Sequence, residues 1–341
     1  MGNKKLSIIT INYNNAEGLR KTMESVFAQT CKEFEYIVVD GASTDGSVDV
    51  IRASALQVEG LTFTWVSEKD TGIYNAMNKG IEIALGRRIV NSFNRSEFVE
   101  DKNKGIEIAS GLRVVNALNR SERSEDKNKG VEIALGKRVV DTFNRSERSE
   151  CENKELPEYV LMLNSGDYLV DEHVIERILP ELHTEDMIQG NLLKDYRGKV
   201  VQDRGYGRSE LSFLDVMDAN FLHQATFIKL STMEQYGYYD ESYKKGSDTY
   251  FFITALGLGN ATYRYVDIDV ANFDMNGITH NPKWQQIDKE EDARWYGEHI
   301  SKRLWDLYQS APKKIQLYDQ LHKHKFIWKL TMVLAQLAKR L

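Results

Sequence analysis

Hydrophobic and polar positions alternate in blocks along the first ninety residues. Leu6 to Ile11 form a run of mostly apolar and β-branched residues, and "NYNN" then supplies turn and cap residues for a helix with the stripe Leu19, Met23, Val26 and Phe27. A second run, "FEYIVVD", ends in "GASTDGS" before the helical "VDVIRASAL". A third, "LTFTWVS", ends in "EKDTG" before "IYNAMNKGIEIA". Continuous hydrophobic strands alternating with helices predict an α/β fold, a mostly parallel sheet with helices on both faces.

In such sheets the loops at the carboxyl ends of the strands gather at one edge, where ligands bind. That edge would collect Asn12 to Asn14, Asp40 to Asp45, Asp70, and the tip of a fourth strand, "EYVLMLNSGD", ending in Asp167. Turns are rich in Asn, Asp, Gly and Ser for backbone reasons alone, so one such tip carries little information. Four in succession carry more.

The fourth strand is delayed by a 25-residue repeat. "NKGIEIALGRRIVNSFNRSEFVEDK" from Asn78 recurs with few changes from Asn103 and from Asn128. Joining Gly86 to Glu158 restores an uninterrupted helix, turn and strand, so Arg87 to Pro157 reads as an insertion at a surface loop, where added length costs little closure entropy. Twenty-five residues make almost seven helical turns, which favours helical segments, but the glycines at 80, 86, 105, 111, 130 and 136 argue against one rod. The insert is either a passive expansion or a partner-binding arm. The expected organisation is residues 1–86 for the first part of the α/β domain, 87–157 for the repeats, 158–280 for the remainder of that domain, and 281–341 for C-terminal helices.

Composition narrows the partners. With 45 Lys and Arg against 51 Asp and Glu the net charge is -6, which argues against general nucleic-acid binding. Cys31 and Cys151 belong to no disulfide or zinc pattern, and the N-terminus has no signal-peptide pattern, so the expected compartment is the cytoplasm. The three N-x-S sequons at Asn94, Asn119 and Asn144 carry no weight there. No apolar run is long enough to span a bilayer. Phe326, Leu330, Val333, Leu334, Leu337 and Leu341 form a stripe flanked by Lys and Arg, which suits either an interfacial helix on anionic lipid or a helix docked on protein.

The ordered set "SIITINYNN", "YIVVDGASTDGS", "EKDTGIYNAMNKGI", "YVLMLNSGDYL", "HQATFIKLSTMEQYGYYDESYKKGSDTYFF" and "FDMNGIT" resembles the family 2 glycosyltransferases of GT-A fold, particularly bacterial enzymes of capsule and lipopolysaccharide assembly. The resemblance covers roughly Leu6 to Thr279 apart from the insertion. It implies an inverting transfer of a sugar from a nucleotide-diphosphate donor, UDP favoured, to a glycan or polyprenyl-linked acceptor. It further implies that Asn12 and Tyr13 border the nucleotide, Tyr13 packing on the base. Asp40 would bond base or ribose, Asp70 would close the pocket, and Asp167 would take Mg²⁺ or Mn²⁺ with the diphosphate. Where the family pattern has an earlier acid, this chain has Gly166, with Asn164 two positions before it.

Asp248 matches the family's catalytic base, and His223 and Gln224 lie on the acceptor side. An acceptor hydroxyl needs such a proton acceptor, and the leaving diphosphate needs charge neutralisation. Asp248 and Ser247 also suit a helix N-cap. Two other classes remain open: a sugar-phosphate nucleotidyltransferase, which should show a Gly-rich phosphate loop near its N-terminus, and an interaction protein built around the repeats.

Overall fold

The computed structural model describes residues 5–56, 60–88, 92–93, 157–196, 198–274 and 282–310. The second and third repeats, most of the "DMNGIT" loop with His280, and the apolar stripe of the tail lie outside them. The expectations of a helical insertion, a partner for it and membrane contact concern those residues.

The predicted strands form as β1 (Leu6–Asn12), β2 (Phe34–Asp40), β3 (Thr62–Ser67) and β5 (Tyr159–Met162), and every residue of β1, β2 and β5 is buried. Between the first three lie α1 (Ala16–Phe27) and α2 (Ser47–Ala55), and α3 (Ile73–Ala84) follows β3. Two clusters explain why these strands read as unbroken apolar runs. Leu6, Ile8, Tyr36 and Val38 pack with α1 and α2 on one face, whereas Ile9, Ile11, Ile37 and Val39 pack with α3 on the other.

Six further strands complete the sheet: β4 (Ser92–Phe93), β6 (Tyr168–Leu169), β7 (Met187–Tyr196), β8 (Lys199–Asp203), β9 (Thr226–Lys229) and, with β5 already given, β10 (Tyr263–Phe273). The order is β4-β3-β2-β1-β5-β9-β7-β10-β6, with β8 paired to β7. β1, β2, β3, β5, β7 and β10 share one direction, and β9 runs against its neighbours β5 and β7. Strand order reverses beside β1, which has β2 on one side and β5 on the other, so a crevice opens at the carboxyl tips of β1 and β5.

Helix α3 reaches β1 closely because residue 80 is glycine: a Cβ there would stand 2.4 Å from Ile9 Cγ2. Lys79, also buried, bridges to Glu68 at 2.8 Å and donates to the Lys69 carbonyl at 2.7 Å. Arg88 pairs with the same Glu68, and Arg87 reaches the Tyr238 hydroxyl at 2.6 Å and Glu234. Contacts with the domain therefore run past the expected junction at Gly86, through Arg87 and Arg88 to the pairing of β4 with β3. The first copy of the repeat is in part the second half of α3, the turn after it and β4.

The segment "TYFFITALGLG" is an α-helix only over Ser247–Phe252 and continues as a π-helical turn, Ile253–Leu258. Its N-cap is Gly246, so Asp248 lies inside the first turn and is not the capping residue. The close packing at Gly80 predicts that Gly80→Ala lowers stability by about 1–3 kcal/mol despite the better helix propensity of alanine, read as a lower melting temperature.

Candidate active site

The site has two parts joined across the first turn of α1. The outer part begins at Asn12 and Asp40, which are register partners at the ends of β1 and β2, with Ser67 opposite Asp40 on β3. Asp40 is fully buried, and its carboxylate accepts from Asn12 Nδ2 at 2.8 Å, Ser43 Oγ at 2.5 Å, the Ser43 amide at 3.0 Å and Ser67 Oγ at 2.6 Å. Four donors fill the acceptor capacity of a carboxylate. Asp40 thus holds the loop of residues 41–45 in place. Direct bonding to a ligand, as expected from the sequence, would require one of these donors to leave.

That loop is tied to the one after β1. Asn14 donates its amide to Ser43 Oγ at 2.8 Å and its Oδ1 accepts from Thr44 N at 2.8 Å, while the Ala16 amide bonds Asp45 Oδ2 at 2.8 Å. Asn14 and Ala42 both have positive φ, 49° and 60°, so the two loops store backbone strain where they meet. Tyr13 stands 67 % exposed beside them. A Cβ on Gly41 would lie 2.4 Å from the Asp70 carboxylate and 3.1 Å from the Tyr13 ring, so glycine permits Tyr13 and Asp70 to flank a shared notch. Burial pushes the Asp70 carboxyl above its usual range, and the nearby Asp40 and Glu68 carboxylates reinforce this.

The inner part is built on the turn after β5. Asn15 caps α1 by accepting from the Gly18 amide at 3.1 Å, and its Nδ2 donates to the Ser165 carbonyl at 3.2 Å, joining the two parts. Gly166 has a φ of 108° and donates to Thr22 Oγ1 at 2.9 Å, while Thr22 donates to the Asp167 carbonyl at 2.6 Å. The left-handed turn sends Asp167 inward. Its carboxylate accepts the Asp274 amide at 2.8 Å and a bond from the Gln224 side chain. Burial pushes it up to about 7, against the lowering by those donors and by His223.

His223 and Gln224 arrive from the turn before β9, and Asp248 from the Ser247–Phe252 helix. His223 Nδ1 lies 3.0 Å from Asp248 Oδ2, and its Nε2 lies 3.3 Å from Asn164 Nδ2. The Tyr74 hydroxyl, with one hydrogen to donate, faces both Asp248 Oδ1 at 2.8 Å and the Lys245 carbonyl. Burial alone would raise Asp248, but the His223 ring and the Tyr74 hydroxyl hold it below the usual carboxylate range; burial would likewise lower His223, and Asp248 holds it above its ordinary value.

The fold therefore brings Asp167, His223, Gln224 and Asp248 into one polar network and places Asn12, Tyr13, Asp40 and Asp70 in the adjoining outer part. Tyr74, Thr22 and the Asp274 amide belong to the inner part although sequence reasoning gave them no role. Tyr74 lay within the quoted "GIYNAMNKG" block, and its position in the first turn of α3 was the available signal.

The strand order and the crevice at its reversal are those of a GT-A-type α/β fold. S. aureus TarS 1-349, solved in complex with UDP-GlcNAc, shares it at a TM-score of 0.53 and 14 % identity over 90 % of this chain and 71 % of that one. Residues 7–92 match the family described as Glycosyl transferase family 2. Over 82 residues, 24 % of this chain, identity is 43 % with an uncharacterized glycosyltransferase of Mycobacterium tuberculosis; over 80 residues it is 38 % with a PGL/p-HBAD biosynthesis glycosyltransferase of Mycobacterium bovis. These matches span 30 % and 31 % of those relatives' own lengths. Residues 7–92 are thus similar to family 2 glycosyltransferases, in the segment whose strand-tip motifs carry that resemblance, and the chain spans under two fifths of these relatives' length.

The raised Asp167 carboxyl gives a pH prediction. An acid whose folded value lies near 7 instead of about 3.9 loses stability as pH rises from about 4 through about 7, because the ionised form is disfavoured only in the folded state. Asp167→Asn removes that penalty, which is at most about 4 kcal/mol. Without added metal, the melting temperature of Asp167→Asn relative to the parent should increase steadily from pH 4.5 to pH 8. A pH-independent difference would contradict the buried-charge account.

Proposed function

We propose that this protein transfers one sugar, with inversion, from a nucleotide-diphosphate donor to a glycan or lipid-linked acceptor in surface-polysaccharide assembly. The observation that carries the reading is the convergence of Asp167 with the His223–Asp248 pair at the strand-order reversal, beside the Tyr13 and Asp70 notch. Tyr13 offers an exposed ring for the base, and the loops tied by Asp40, Asn12 and Asn14 set the walls around it. UDP is the favoured nucleotide.

Among the described residues no group of three or more His, Cys, Asp and Glu could hold a metal by itself. Mg²⁺ and Mn²⁺ need no such cage, since they accept most of their ligands from phosphates and water. The residues fit this use: Asp167 is a buried carboxylate whose charge is under-compensated, and Asn164 Oδ1 is a buried oxygen without a partner. Asp167 would hold the ion with the donor diphosphate, and the ion would neutralise charge on the leaving group. On the opposite side, the Asp248 system would accept the acceptor proton while the new bond forms at the anomeric carbon. Gln224 fixes the Asp167 carboxylate next to His223.

No helix among the described residues is long and apolar enough to cross a membrane. We assign any contact with the inner membrane face, and so access to a polyprenyl-linked acceptor, to the amphipathic tail. A partner for the repeats is a separate part of the proposal.

Thermal-shift titration with UDP, GDP and dTDP, each with and without Mn²⁺, tests the donor site. At a free ligand concentration of 100 times Kd, stabilisation should reach about 2.7 kcal/mol for the correct nucleotide, should need metal, and should be lost in Asp167→Ala. Failure of all three nucleotides to shift the parent protein would overturn the reading. Tyr13→Ala should weaken nucleotide binding by about 1–3 kcal/mol, the range for loss of one base-stacking ring, with little change in the stability of the free protein.

A further inference from the structure

Three acids and a tryptophan, Asp288, Glu291, Asp292 and Trp295, fall at i, i+3, i+4 and i+7 of the C-terminal helix Pro282–His299 and so share one face. Such a face can pack on the domain only where donors meet it, because a buried carboxylate without hydrogen bonds is costly. Residues 244–250 supply the donors. Lys245 Nζ pairs with Asp288. The Tyr250 hydroxyl donates to Asp292 at 3.0 Å, and its ring stacks on Trp295 with centroids 5.0 Å apart. Glu291, 8 % exposed, takes three consecutive backbone amides: Lys244 at 2.6 Å, Lys245 at 3.0 Å and Gly246 at 3.2 Å.

These amides lie in the turn that delivers Asp248, two residues beyond Gly246. Helix α3 holds the same turn from the other side. Asn78 donates to the Tyr239 carbonyl at 2.8 Å and accepts the Tyr239 amide at 3.1 Å, Asn75 donates to Glu241 at 2.8 Å, and the Tyr74 hydroxyl faces the Lys245 carbonyl. From this clamp we infer that Glu291 is a positioning residue for sugar transfer, acting through Asp248. Its carboxylate fixes the path of residues 244–246, and so the direction from which Asp248 meets the acceptor hydroxyl. The inference rests on the transferase reading above and adds to that site a residue of the C-terminal helix. In the step it serves, the hydroxyl proton passes to Asp248 and the oxygen's electron pair forms the bond to the anomeric carbon. The bond from that carbon to the diphosphate breaks, and its electron pair leaves with the nucleoside diphosphate.

The arrangement needs a carboxylate. A glutamine has one oxygen to accept with, and its side-chain nitrogen only donates, so at least one of the three amides would face another N–H. The turn would then lose its fixed path, while the stacking of Tyr250 on Trp295 would still hold the helix against the domain. A displacement of about 1 Å at a reacting group is enough to cost on the order of 10²-fold in rate. Glu291 touches neither the Tyr13 and Asp70 notch nor Asp167, so donor binding does not depend on it.

The test is donor hydrolysis, with water as acceptor, using whichever of UDP-GlcNAc, GDP-mannose and a dTDP-hexose the parent protein turns over fastest with Mn²⁺. Glu291→Gln should lower kcat by about 10- to 100-fold, with the donor KM and the nucleotide-dependent thermal shift within about twofold of the parent. A Glu291→Gln protein that melts lower but keeps the parent kcat has lost a structural contact only. That result overturns the inference and leaves the transferase reading intact, as does a raised donor KM without a fall in kcat. If Glu291→Gln shows no folded transition, Asp288→Asn decides, because it frees Lys245 from the same helix and leaves the buried carboxylate in place. A kcat lowered by about 2- to 5-fold at unchanged donor KM supports the clamp, and an unchanged kcat overturns it. A parent protein that turns over no donor overturns both readings.

Discussion

The approach of α3 to β1 at Gly80 sets the spacing on which the surrounding polar network depends. No side chain stands between the helix and Ile9, so α3 lies close against the sheet. Its first turn then reaches Asp248 through Tyr74, its middle buries Lys79 against Glu68, and the turn after it anchors Arg87 and Arg88. A helix lifted by even one methyl group would shift all of these together, because packed interiors transmit small displacements and do not absorb them.

Two acids at the strand tips show how similar residues come to do different work. Asp40 is met by four donors and has become part of the scaffold, a fixed negative end that organises loops bearing the exposed Tyr13. Asp167 is almost as deeply buried but has fewer donors, so its charge is costly. The two buried acids thus differ in the number of hydrogen bonds each carboxylate receives. His223 pairs with Asp248 at 3.0 Å and also draws the Asp167 carboxyl down, against the effect of its burial.

The strands β1, β2, β3 and β5 were legible because burial on both faces leaves unbroken apolar runs, and α1 was legible from its stripe. β7 was not: Gln189 and Asn191, 0 % and 1 % exposed, interrupt its apolar pattern at alternate positions, since the sheet there buries polar side chains. Nor could a one-dimensional reading give the reversed direction of β9, which depends on its neighbours β5 and β7. The site residues could be named from their motifs, but their division of labour could not. Saturation of Asp40 depends on Ser67 across the register with β3, and the pairing of Asp248 with Tyr74 joins residues 174 positions apart. The glycine in "NKG" reads as a helix weakness in sequence and is a packing requirement in space.

That last point bears on how this chain can vary. The 25-residue unit that begins at Asn78 includes the second half of α3, the anchoring arginines and β4, and the units from Asn103 and Asn128 repeat the same Asn-Lys-Gly start. The repeated unit is therefore a duplicated piece of the α/β framework and not a foreign module. Any copy of the unit placed behind "IYNAM" would thus complete the helix that carries Tyr74 with nearly the same residues.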